Sequence, residues 1–529
     1  MSGANVLQYV LFLLLVTALV APAGGYMWRV FEGRHTWLDP VLRPVERSIY
    51  RLTGVDPAEQ MDWRTYAMCF VGFTVVGTGL LFVVLVVQSV LPFYDAASLS
   101  TPMTPDLAAN VAVSFATTTT WQPYAGESTM SYATQIVGLA AQNFLAGAAG
   151  LAIGIAFIRG LAARRASTLG NFWVDLVRAT LWVLLPISLA GGLLLVWQGV
   201  PLNWQPYAQA TTLEGAHQTI AQGPVAALEL IKNLGTNGGG FFNANGAHPY
   251  ENPTPLTNMF ELLAIAVLPA ALTFTFGRMV GRPREGWTLY GIMVFLFVLA
   301  IVGTGWAEQT GVPSLADSAL VQQIASADQP GGNMEGKETR FGIGGSVLTE
   351  IVTSDTATGS TNSAPDSYTP LGGLIPLVNL LLGEIVFGGL GTGIYSLILV
   401  VLLALFITGL MVGRTPEYLG KKIGPPEIKL VMIYTLLGPA AVLVLAAIAS
   451  VTDVGTAALT TNTGAHGFTE MVFGYASALA NNGQAFAGLN ANSPFWNVTT
   501  IVAMWWGVWA SVWWRWRLPA GLRCTPSGA

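Results

Sequence analysis

The sequence has little charge for its length. Of its 529 residues only 10% are Asp, Glu, Lys or Arg, while 53% are hydrophobic. Ordinary soluble domains carry about 25% charged residues, so these few charges cannot coat a soluble body of this size. Stretches such as Tyr66–Leu91 and Ile394–Met411 contain no charged residue, and about 20 apolar residues span the hydrocarbon core as a helix. The composition therefore excludes a soluble protein and predicts a multi-span protein in a lipid bilayer.

Residues that mark metal, disulfide and nucleotide sites are also scarce. The two cysteines, Cys69 and Cys524, have no CxxC spacing, so neither a disulfide framework nor a zinc motif is indicated. The four histidines are scattered, which argues against a metal cluster; they are His35, His217, His248 and His466. No GxxxxGK[ST] phosphate loop is present. We expect no nucleotide, no organic cofactor and no nucleic-acid partner, and active transport by this chain would need a partner as its energy source.

Nine membrane spans are predicted from the apolar runs. They cover about 4–23, 66–91, 132–158, 172–197, 257–276, 288–306, 373–411, 430–451 and 495–514. The first run resembles a signal peptide in length, but no basic residue precedes it, because Arg29 is the first Lys or Arg. We therefore interpret it as a retained span.

The positive charges are distributed unequally between the two sides of these spans. Of the 23 Lys and Arg residues, 19 fall in alternate loops on one side. The opposite side has Lys232, Lys337 and Arg340, and Arg178 lies just inside a span. Positive residues gather on the cytoplasmic side, so this distribution predicts an N-terminus outside the cell.

The long outer segments share one pattern. Each contains an apolar stretch too short to span, followed at once by small polar residues; the stretches are Leu107–Thr117, Val225–Leu234, Ser346–Thr353 and Glu470–Leu479. Re-entrant segments survive at membrane depth only where protein or a water-filled path surrounds them. The predicted fold is an all-α polytopic membrane protein with four pseudo-repeated units of span, pore helix, filter loop and span around one central pore. The predicted divisions are 1–65 for the N-terminal span and cytoplasmic loop, 66–165, 166–284, 285–422 and 423–516 for the repeats, and 517–529 for an atypical C-terminal tail.

The polar loops have the composition of a potassium filter. Backbone carbonyls and Thr hydroxyls supply oxygens that replace the ion's water shell, and Gly permits the dihedrals that point carbonyls inward. Each preceding half-helix ends at its loop, so its negative end faces the ion path. One such cluster alone is more often a simple turn, but four at equivalent places favour the filter. The predicted filter residues, with potassium as the only metal, are Thr117, Thr118, Thr119, Asn237, Gly238, Gly239, Thr358, Gly359, Ser360, Asn482, Gly483 and Gln484.

The seventh span is too long to be one helix. Residues 371–411 would be about 60 Å long if fully helical, which is about twice the hydrocarbon thickness. Its middle is rich in glycine and contains a carboxylate, which predicts a broken helix and a gate. The predicted gate residues are Gly383, Glu384, Gly388, Gly389, Gly391 and Gly393. The alternative is a plain helix break with Glu384 bonded to the backbone.

Several other residues have two interpretations. Asp355 precedes the third loop and either attracts a cation or is a bonded turn residue. Glu229 and Lys232 are spaced i,i+3, which favours a structural ion pair over an ion site. Three tryptophans are predicted to be interfacial anchors; they are Trp121, Trp197 and Trp204.

Long motifs resemble one family, the potassium-binding A subunits of the Kdp potassium-transporting ATPases. The matching segments include 235–246 (GTNGGGFFNANG), 333–342 (NMEGKETRFG), 366–373 (DSYTPLGG), 383–393 (GEIVFGGLGTG), 413–423 (GRTPEYLGKKI) and 481–497 (NNGQAFAGLNANSPFWN). The resemblance covers roughly residues 5–504. It implies a fold like the superfamily of potassium transporters and potassium uptake across the bacterial inner membrane. It also implies three partners: a P-type ATPase catalytic subunit resembling KdpB, a C subunit resembling KdpC, and a small single-span F subunit.

The sequence departs from this family in two places. The first loop commonly carries Asn where this chain has Thr118 and Thr120. After Met504 the family continues through a Gly-Arg-Phe segment and one more span, whereas residues 505–517 here read WWGVWASVWWRWR. We hypothesise a frameshift or truncation that leaves the family's last span missing; the alternative is a genuine Trp-rich interfacial terminus.

The sequence as a whole predicts the ion-binding subunit of an ATP-driven potassium importer. This chain would filter the ion and pass it toward the partner ATPase, and would not itself be an enzyme. The alternative function is an autonomous potassium channel or an ion-gradient-driven symporter of the same superfamily.

Overall fold

The computed structural model describes residues 2–95, 98–163, 168–312, 322–326 and 331–521, with side chains described as far as Val508. Arg164, Arg165, Arg523, Cys524 and the end of the predicted tail lie outside the described residues. The frameshift hypothesis and the predicted domain boundaries stay predictions.

Helices dominate the chain. Those in the first half are α1 (Gly3–Phe31), α2 (Asp39–Thr53), α3 (Trp63–Val86), α4 (Pro105–Ala116), α5 (Gly126–Thr129), α6 (Ala141–Ala162), α7 (Phe172–Arg178), α8 (Leu185–Trp197) and α9 (Val225–Leu234). Those in the second half are α10 (Pro255–Met279), α11 (Pro283–Thr310), α12 (Gly342–Asp355), α13 (Pro370–Leu381), α14 (Thr392–Met411), α15 (Pro425–Val451), α16 (Asp453–Thr456), α17 (Gly464–Leu479) and α18 (Pro494–Gly521). A π-helical turn, Thr134–Ala140, leads into α6, and another, Ala179–Leu184, joins α7 to α8. Short 3-10 turns cover Gln88–Val90, Asn245–Ala247 and Pro365–Ser367.

Strands are few and short. The strands β1 (Ala208–Thr211) and β2 (His217–Ile220) form an antiparallel hairpin in which Ala208 pairs with Ile220. The strands β3 (Glu417–Tyr418) and β4 (Lys421–Lys422) form a second antiparallel pair. Eight helical segments among the described residues are long and apolar enough to cross a membrane. The predicted class, an all-α polytopic membrane protein, is confirmed.

Local sequence explains where several helices begin. The Asp62 carboxylate accepts the Thr65 N–H at 2.8 Å at the start of α3. Thr254 and Thr257 form a reciprocal capping box before α10, which starts with a proline. The predicted seventh span is broken between α13 and α14, where Gly383, Gly388 and Gly391 have φ of 73°, 70° and 102°. These left-handed conformations are accessible to glycine at little cost and end the helix.

One arrangement recurs four times. A short helix packs between the helices before and after it in the sets α3–α4–α6, α8–α9–α10, α11–α12–α13 and α15–α17–α18. The last helix of the third set, α13, is itself short because the predicted seventh span is broken after it. The first helix, α1, stands outside these sets and packs along α10. Its first turn lies beside the start of α12, where a Cβ on Gly344 would meet Asn5 Oδ1 at 2.5 Å. The Asn5 side chain also donates to Gln309, at the end of α11, at 3.4 Å. The N-terminus is therefore on the same side as the starting ends of the short helices.

Candidate functional site

The four short helices α4, α9, α12 and α17 end in the same way. The third residue of each following loop donates its N–H to the carbonyl five residues earlier, inside the last turn of the helix. These bonds join Thr119 to Ser114, Asn237 to Lys232, Thr358 to Thr353 and Asn482 to Ser477, at 2.9, 2.9, 3.1 and 2.9 Å. The N–H groups of the four loops therefore turn back toward their helices, and one backbone design is used four times.

The loops also share a pattern of backbone dihedrals. The second loop residues are Thr118, Thr236, Ala357 and Asn481, with φ of 62°, 50°, 49° and 52°. The fourth are Thr120, Gly238, Gly359 and Gly483, with φ of 51°, 77°, 78° and 88°. Alternation of right- and left-handed residues turns successive N–H groups to one side of the chain and the carbonyls to the other. Each loop therefore presents a row of carbonyl oxygens opposite its anchored N–H groups.

Close contacts join the four loops into a ring. The carbonyl oxygens of Thr358, Asn482 and Thr119 lie so near Gly238, Gly359 and Gly483 that a Cβ on these glycines would meet them at 1.6, 2.0 and 2.0 Å. The first and second loops meet through Gln122, whose amide accepts the Gly240 N–H at 2.9 Å and donates to the Gly240 carbonyl at 3.1 Å. The order around the ring follows the order of the loops in the chain. Only glycine fits at these three contacts.

The threonine hydroxyls lie behind the loops. Thr117 Oγ1 is 2.8 Å from Thr119 Oγ1 and also donates to the Val113 carbonyl. Thr358 Oγ1 pairs in the same way with Thr356 Oγ1 at 2.7 Å. These hydroxyls hydrogen-bond each other and the helix ends, and their service as ion ligands stays a prediction. The backbone carbonyls of the loops are the other oxygens that the filter prediction invokes.

In three of the loops the fifth residue contacts the short helix of the preceding repeat, counted around the ring. Ser360 donates to Asn233 on α9, and the Gln484 amide donates to Glu350 on α12 at 2.6 Å. Trp121 occupies the same position in the first loop and contacts α17 at Gly474. The prediction that Trp121 is an interfacial anchor was wrong, since only 2% of its surface is exposed. Burial follows from its place between two repeats.

A buried ion cluster holds the second loop in place. Lys232 Nζ lies 2.9 Å from Glu229 and 2.5 Å from Glu251, and all three side chains are almost completely buried. The second carboxylate oxygen of Glu251 accepts the Phe242 N–H at 2.7 Å, so the cluster ties α9 to the chain beyond the loop. The predicted Glu229–Lys232 ion pair is confirmed. Nearby, burial lowers the pKa of His248, whose ring stacks on Phe242 with centroids 3.9 Å apart.

The ring separates two cavities. The larger one, about 730 Å³, is open to solvent and has the fourth residues of the first, third and fourth loops in its lining. The smaller one, about 70 Å³, is lined by the first or second residues of all four loops. A straight path from the large cavity to the small one therefore passes through the carbonyl rows.

The broken segment between α13 and α14 forms part of the small cavity's wall. Glu384, Gly389, Leu390 and Thr392 line it, and the Glu384 carboxylate contacts the Thr392 hydroxyl and accepts the Gly389 N–H at 3.4 Å. The Leu390 N–H donates to Thr236 Oγ1 of the second loop at 2.7 Å. Glu384 thus bonds within the break, as one interpretation predicted, and it also lines the small cavity. Its role in a gate stays a prediction.

Glycines on α6 allow the broken segment to approach closely. A Cβ on Gly150 would meet the Leu390 carbonyl at 2.7 Å, and a Cβ on Gly391 would meet the Gly150 carbonyl at 2.1 Å. Gly388 and Gly393 also touch within the break, whereas a Cβ on Gly383 would meet nothing within 4 Å. The broken segment therefore has a defined conformation and packs against α6 below the ring.

Asp355 ends α12 and is 1% exposed. Its backbone carbonyl accepts the Gly388 N–H at 3.1 Å, which links the third loop to the break. Neither carboxylate oxygen has a hydrogen-bond partner among the described residues. The interpretation of Asp355 as a side-chain-bonded turn residue is therefore not supported.

Most predicted filter residues lie in the ring, and the residues that brace it were missed. Gln122, Asn233, Glu350 and Glu251 hold the loops from other repeats or from beyond the loop. Asn233 and Glu350 are polar residues on apolar short helices, a signal that was available in the sequence, whereas Gln122 and Glu251 stand in polar segments that carry no such signal. The loop residues that they hold lie up to 134 residues away.

Comparisons with known proteins agree with this geometry. The family model described as the potassium-transporting ATPase A subunit, KdpA, matches residues 10–520. A potassium-transporting ATPase potassium-binding subunit from Granulibacter bethesdensis is 50% identical over 95% of this chain and 87% of its own length. The subunit of that name from Koribacter versatilis is 49% identical over the same shares. The crystal structure of the potassium transporter TrkH from Vibrio parahaemolyticus matches the fold with a TM-score of 0.54 at 13% identity, covering 98% of this chain and 97% of that one.

Proposed function

Because the chain belongs to the family of potassium-transporting ATPase A subunits, we propose that it selects potassium from outside the cell and passes it toward a partner ATPase. It is the non-catalytic, potassium-binding subunit of this complex, as its relatives' names state for them. The partners we propose are a P-type ATPase catalytic subunit, a C subunit and a small single-span F subunit, assembled in the bacterial inner membrane. The distribution of positive charge supports an N-terminus outside the cell.

The observation that carries this proposal is the closed ring of four loops with matching backbone dihedrals. Carbonyl oxygens in such a ring replace the hydration shell of a potassium ion. The four short helices end at the ring, so the negative ends of their dipoles add to the attraction for a cation. The filter residues we propose are those predicted from the sequence, acting through their backbone carbonyls.

Below the ring, we propose that the break between α13 and α14 is the gate. Its glycines, Gly383, Gly388, Gly389, Gly391 and Gly393, give the segment its conformational range. Glu384 would interact with an ion in the small cavity. The buried Asp355 carboxylate at the end of α12 would add negative potential below the filter.

A glycine substitution tests the filter. In Gly238→Ala the new Cβ would lie on the Thr358 carbonyl oxygen, since a Cβ there is only 1.6 Å from it. We expect rubidium binding to the purified complex to weaken at least tenfold, measured by equilibrium binding with sodium as the competing ion.

The matched control is Gly215→Ala in the β1–β2 hairpin, which also has a left-handed φ, 86°, but meets nothing within 4 Å. It should bind rubidium as the unchanged protein does, and thermal unfolding of both variants reports whether each is folded. Unchanged binding in a folded Gly238→Ala variant would remove the second loop from the filter.

A further inference from the structure

Three potential metal ligands meet at the junction of the third and fourth repeats. Asp366 lies in the 3-10 turn before α13, and His466 and Glu470 lie one turn apart on α17. One ligand atom from each residue lies within 4.8 Å of the others, and His466 Nε2 is 2.9 Å from Asp366 Oδ1. The sequence argued against a metal cluster because the histidines are scattered, and it could not show that one of them meets two carboxylates from different repeats.

The buried member of this cluster is incompletely bonded. Glu470 has no exposed surface, and its Oε2 has no hydrogen-bond partner among the described residues. Burying a charge without a partner is costly, and a second carboxylate, Asp366, lies beside it. The Glu470 side chain therefore needs a cation or a proton close to its free oxygen.

Other polar groups lie close to this carboxylate, and the chain packs tightly against it at Gly488. Gly488 faces the Glu470 carboxylate, and a Cβ there would lie 2.8 Å from both carboxylate oxygens and 2.1 Å from Thr461 Oγ1. The Asn462 amide nitrogen donates to Asp366 at 3.1 Å and to Glu470 at 3.0 Å. Rotating this amide by half a turn would present its oxygen and add a further ligand.

We propose that Asp366, His466 and Glu470 bind a divalent transition-metal ion of the zinc type at the outer face of the protein. One imidazole nitrogen and two carboxylate oxygens suit Zn²⁺, which binds such atoms at about 2.0–2.2 Å. Tetrahedral coordination at that distance separates ligand atoms by roughly 3.3 Å, so the cluster needs only side-chain adjustment to close on an ion. The His466 side chain is 44% exposed, which gives the ion a way in from solvent.

Such an ion would connect two repeats near the solvent-exposed cavity. Asp366 stands four residues before α13, which leads to the break, and Glu470 belongs to the short helix that leads to the fourth loop. Thr460, which follows the predicted fourth-repeat span, donates to the Gly488 carbonyl through both its N–H and its hydroxyl, and it lines the large cavity. Metal binding is therefore expected to stabilise the outer junction of the third and fourth repeats and to change the rate of potassium uptake.

The test is zinc binding to the purified complex after treatment with EDTA. Equilibrium dialysis followed by elemental analysis should give one more zinc per chain in the unchanged protein than in His466→Gln at micromolar free zinc. The affinity should fall at least thirtyfold in His466→Gln and Asp366→Asn. His217→Gln, which changes an exposed histidine on β2, is the matched control and should leave zinc binding unchanged.

A second variant distinguishes loss of zinc binding from loss of folding. His466→Cys keeps a zinc ligand and should retain binding, and with Co²⁺ it should show the sulfur-to-metal absorption that the unchanged protein does not have. Equal zinc content in the unchanged protein and His466→Gln, or no saturable zinc binding in the unchanged protein, would overturn the proposal and leave an ion pair between His466 and Asp366. Rubidium binding measured on the same samples reports separately on the filter.

Discussion

At the scale of single residues, the ring depends on what occupies its left-handed positions. Three of the four equivalent fourth positions are glycine, and the remaining one is Thr120 with φ of 51°. A left-handed conformation costs a residue other than glycine about 1–2 kcal/mol. The Thr120 hydroxyl is buried and has no hydrogen-bond partner among the described residues. Every loop has one left-handed residue other than glycine at its second position, and the first loop has another at Thr120, so the first loop is the most strained of the four.

Lys232 is the residue on which we expect the second loop to depend most. In Lys232→Met, the Glu229 and Glu251 carboxylates would stay buried without their cation, a change that typically costs about 3–5 kcal/mol. We expect the unfolding temperature of the purified complex to fall by several degrees. Rubidium binding should weaken as well, because the Lys232 carbonyl accepts the N–H groups of Asn237 and Gly238 at 2.9 Å.

The control for this experiment is Lys422→Met, which changes an exposed lysine on β4. It should leave both the unfolding temperature and rubidium binding unchanged. The double variant Lys232→Met with Glu251→Gln should recover part of the lost stability, since one buried charge is then removed. Equal unfolding temperatures for Lys232→Met and Lys422→Met would contradict the role assigned to the cluster.

At the scale of elements, apolar run length was enough to predict the short helices and the eight helices long enough to span among the described residues. The ninth predicted span, 495–514, falls on α18, which is not one of those eight. The predicted stretch Val225–Leu234 matches α9 at both ends, and the overlong seventh span is broken where its glycines cluster. Run length and composition depend on neighbouring residues only, so a single sequence carries them. The burial of Trp121, the orientation of the Thr119 and Thr358 hydroxyls, and the meeting of Asp366 with His466 depend on contacts between distant segments. Those features could not be predicted from the sequence.

The broken segment allows a comparison of two glycines in one element. Gly391 and Gly383 both have left-handed φ, but a Cβ at Gly391 would meet the Gly150 carbonyl at 2.1 Å, while one at Gly383 would meet nothing within 4 Å. Both alanine variants carry similar backbone strain. Only Gly391→Ala should push the break off α6, so we expect its rubidium uptake by the complex to fall at least tenfold while equilibrium binding at the filter is retained.

Gly383→Ala is the matched control and should keep most of the uptake. Uptake and binding are measured on the same preparations, so a loss of binding in Gly391→Ala would show that the substitution disturbs the ring and not only the break. Similar uptake in the two variants would mean that the contact between the break and α6 has no part in gating.

At the scale of the whole molecule, the ring exists only when all four repeats are assembled. Asn481 donates to Thr119 at 2.8 Å across 362 residues, and Gln484 reaches Glu350 across 134. Each loop is braced by a short helix from another repeat or by residues beyond its own end. A filter built this way fixes the spacing of its carbonyls through the whole fold, which is why loops of different sequence can adopt one backbone conformation.

At this scale we expect the chain by itself to hold potassium without conducting it. The large outer cavity is about 730 Å³ and open, whereas the one below the ring is about 70 Å³ and bounded by the break. The sequence contains no phosphate loop through which this chain could use ATP to open the break.

We therefore expect the chain reconstituted alone in liposomes to show no rubidium flux above protein-free vesicles. Valinomycin, added as a control, confirms that the vesicles are sealed. ATP-dependent flux should appear when the ATPase partner is present and disappear when it is removed. Rubidium flux down its gradient through the chain alone would instead identify an autonomous channel, because the break would then be open without the partner.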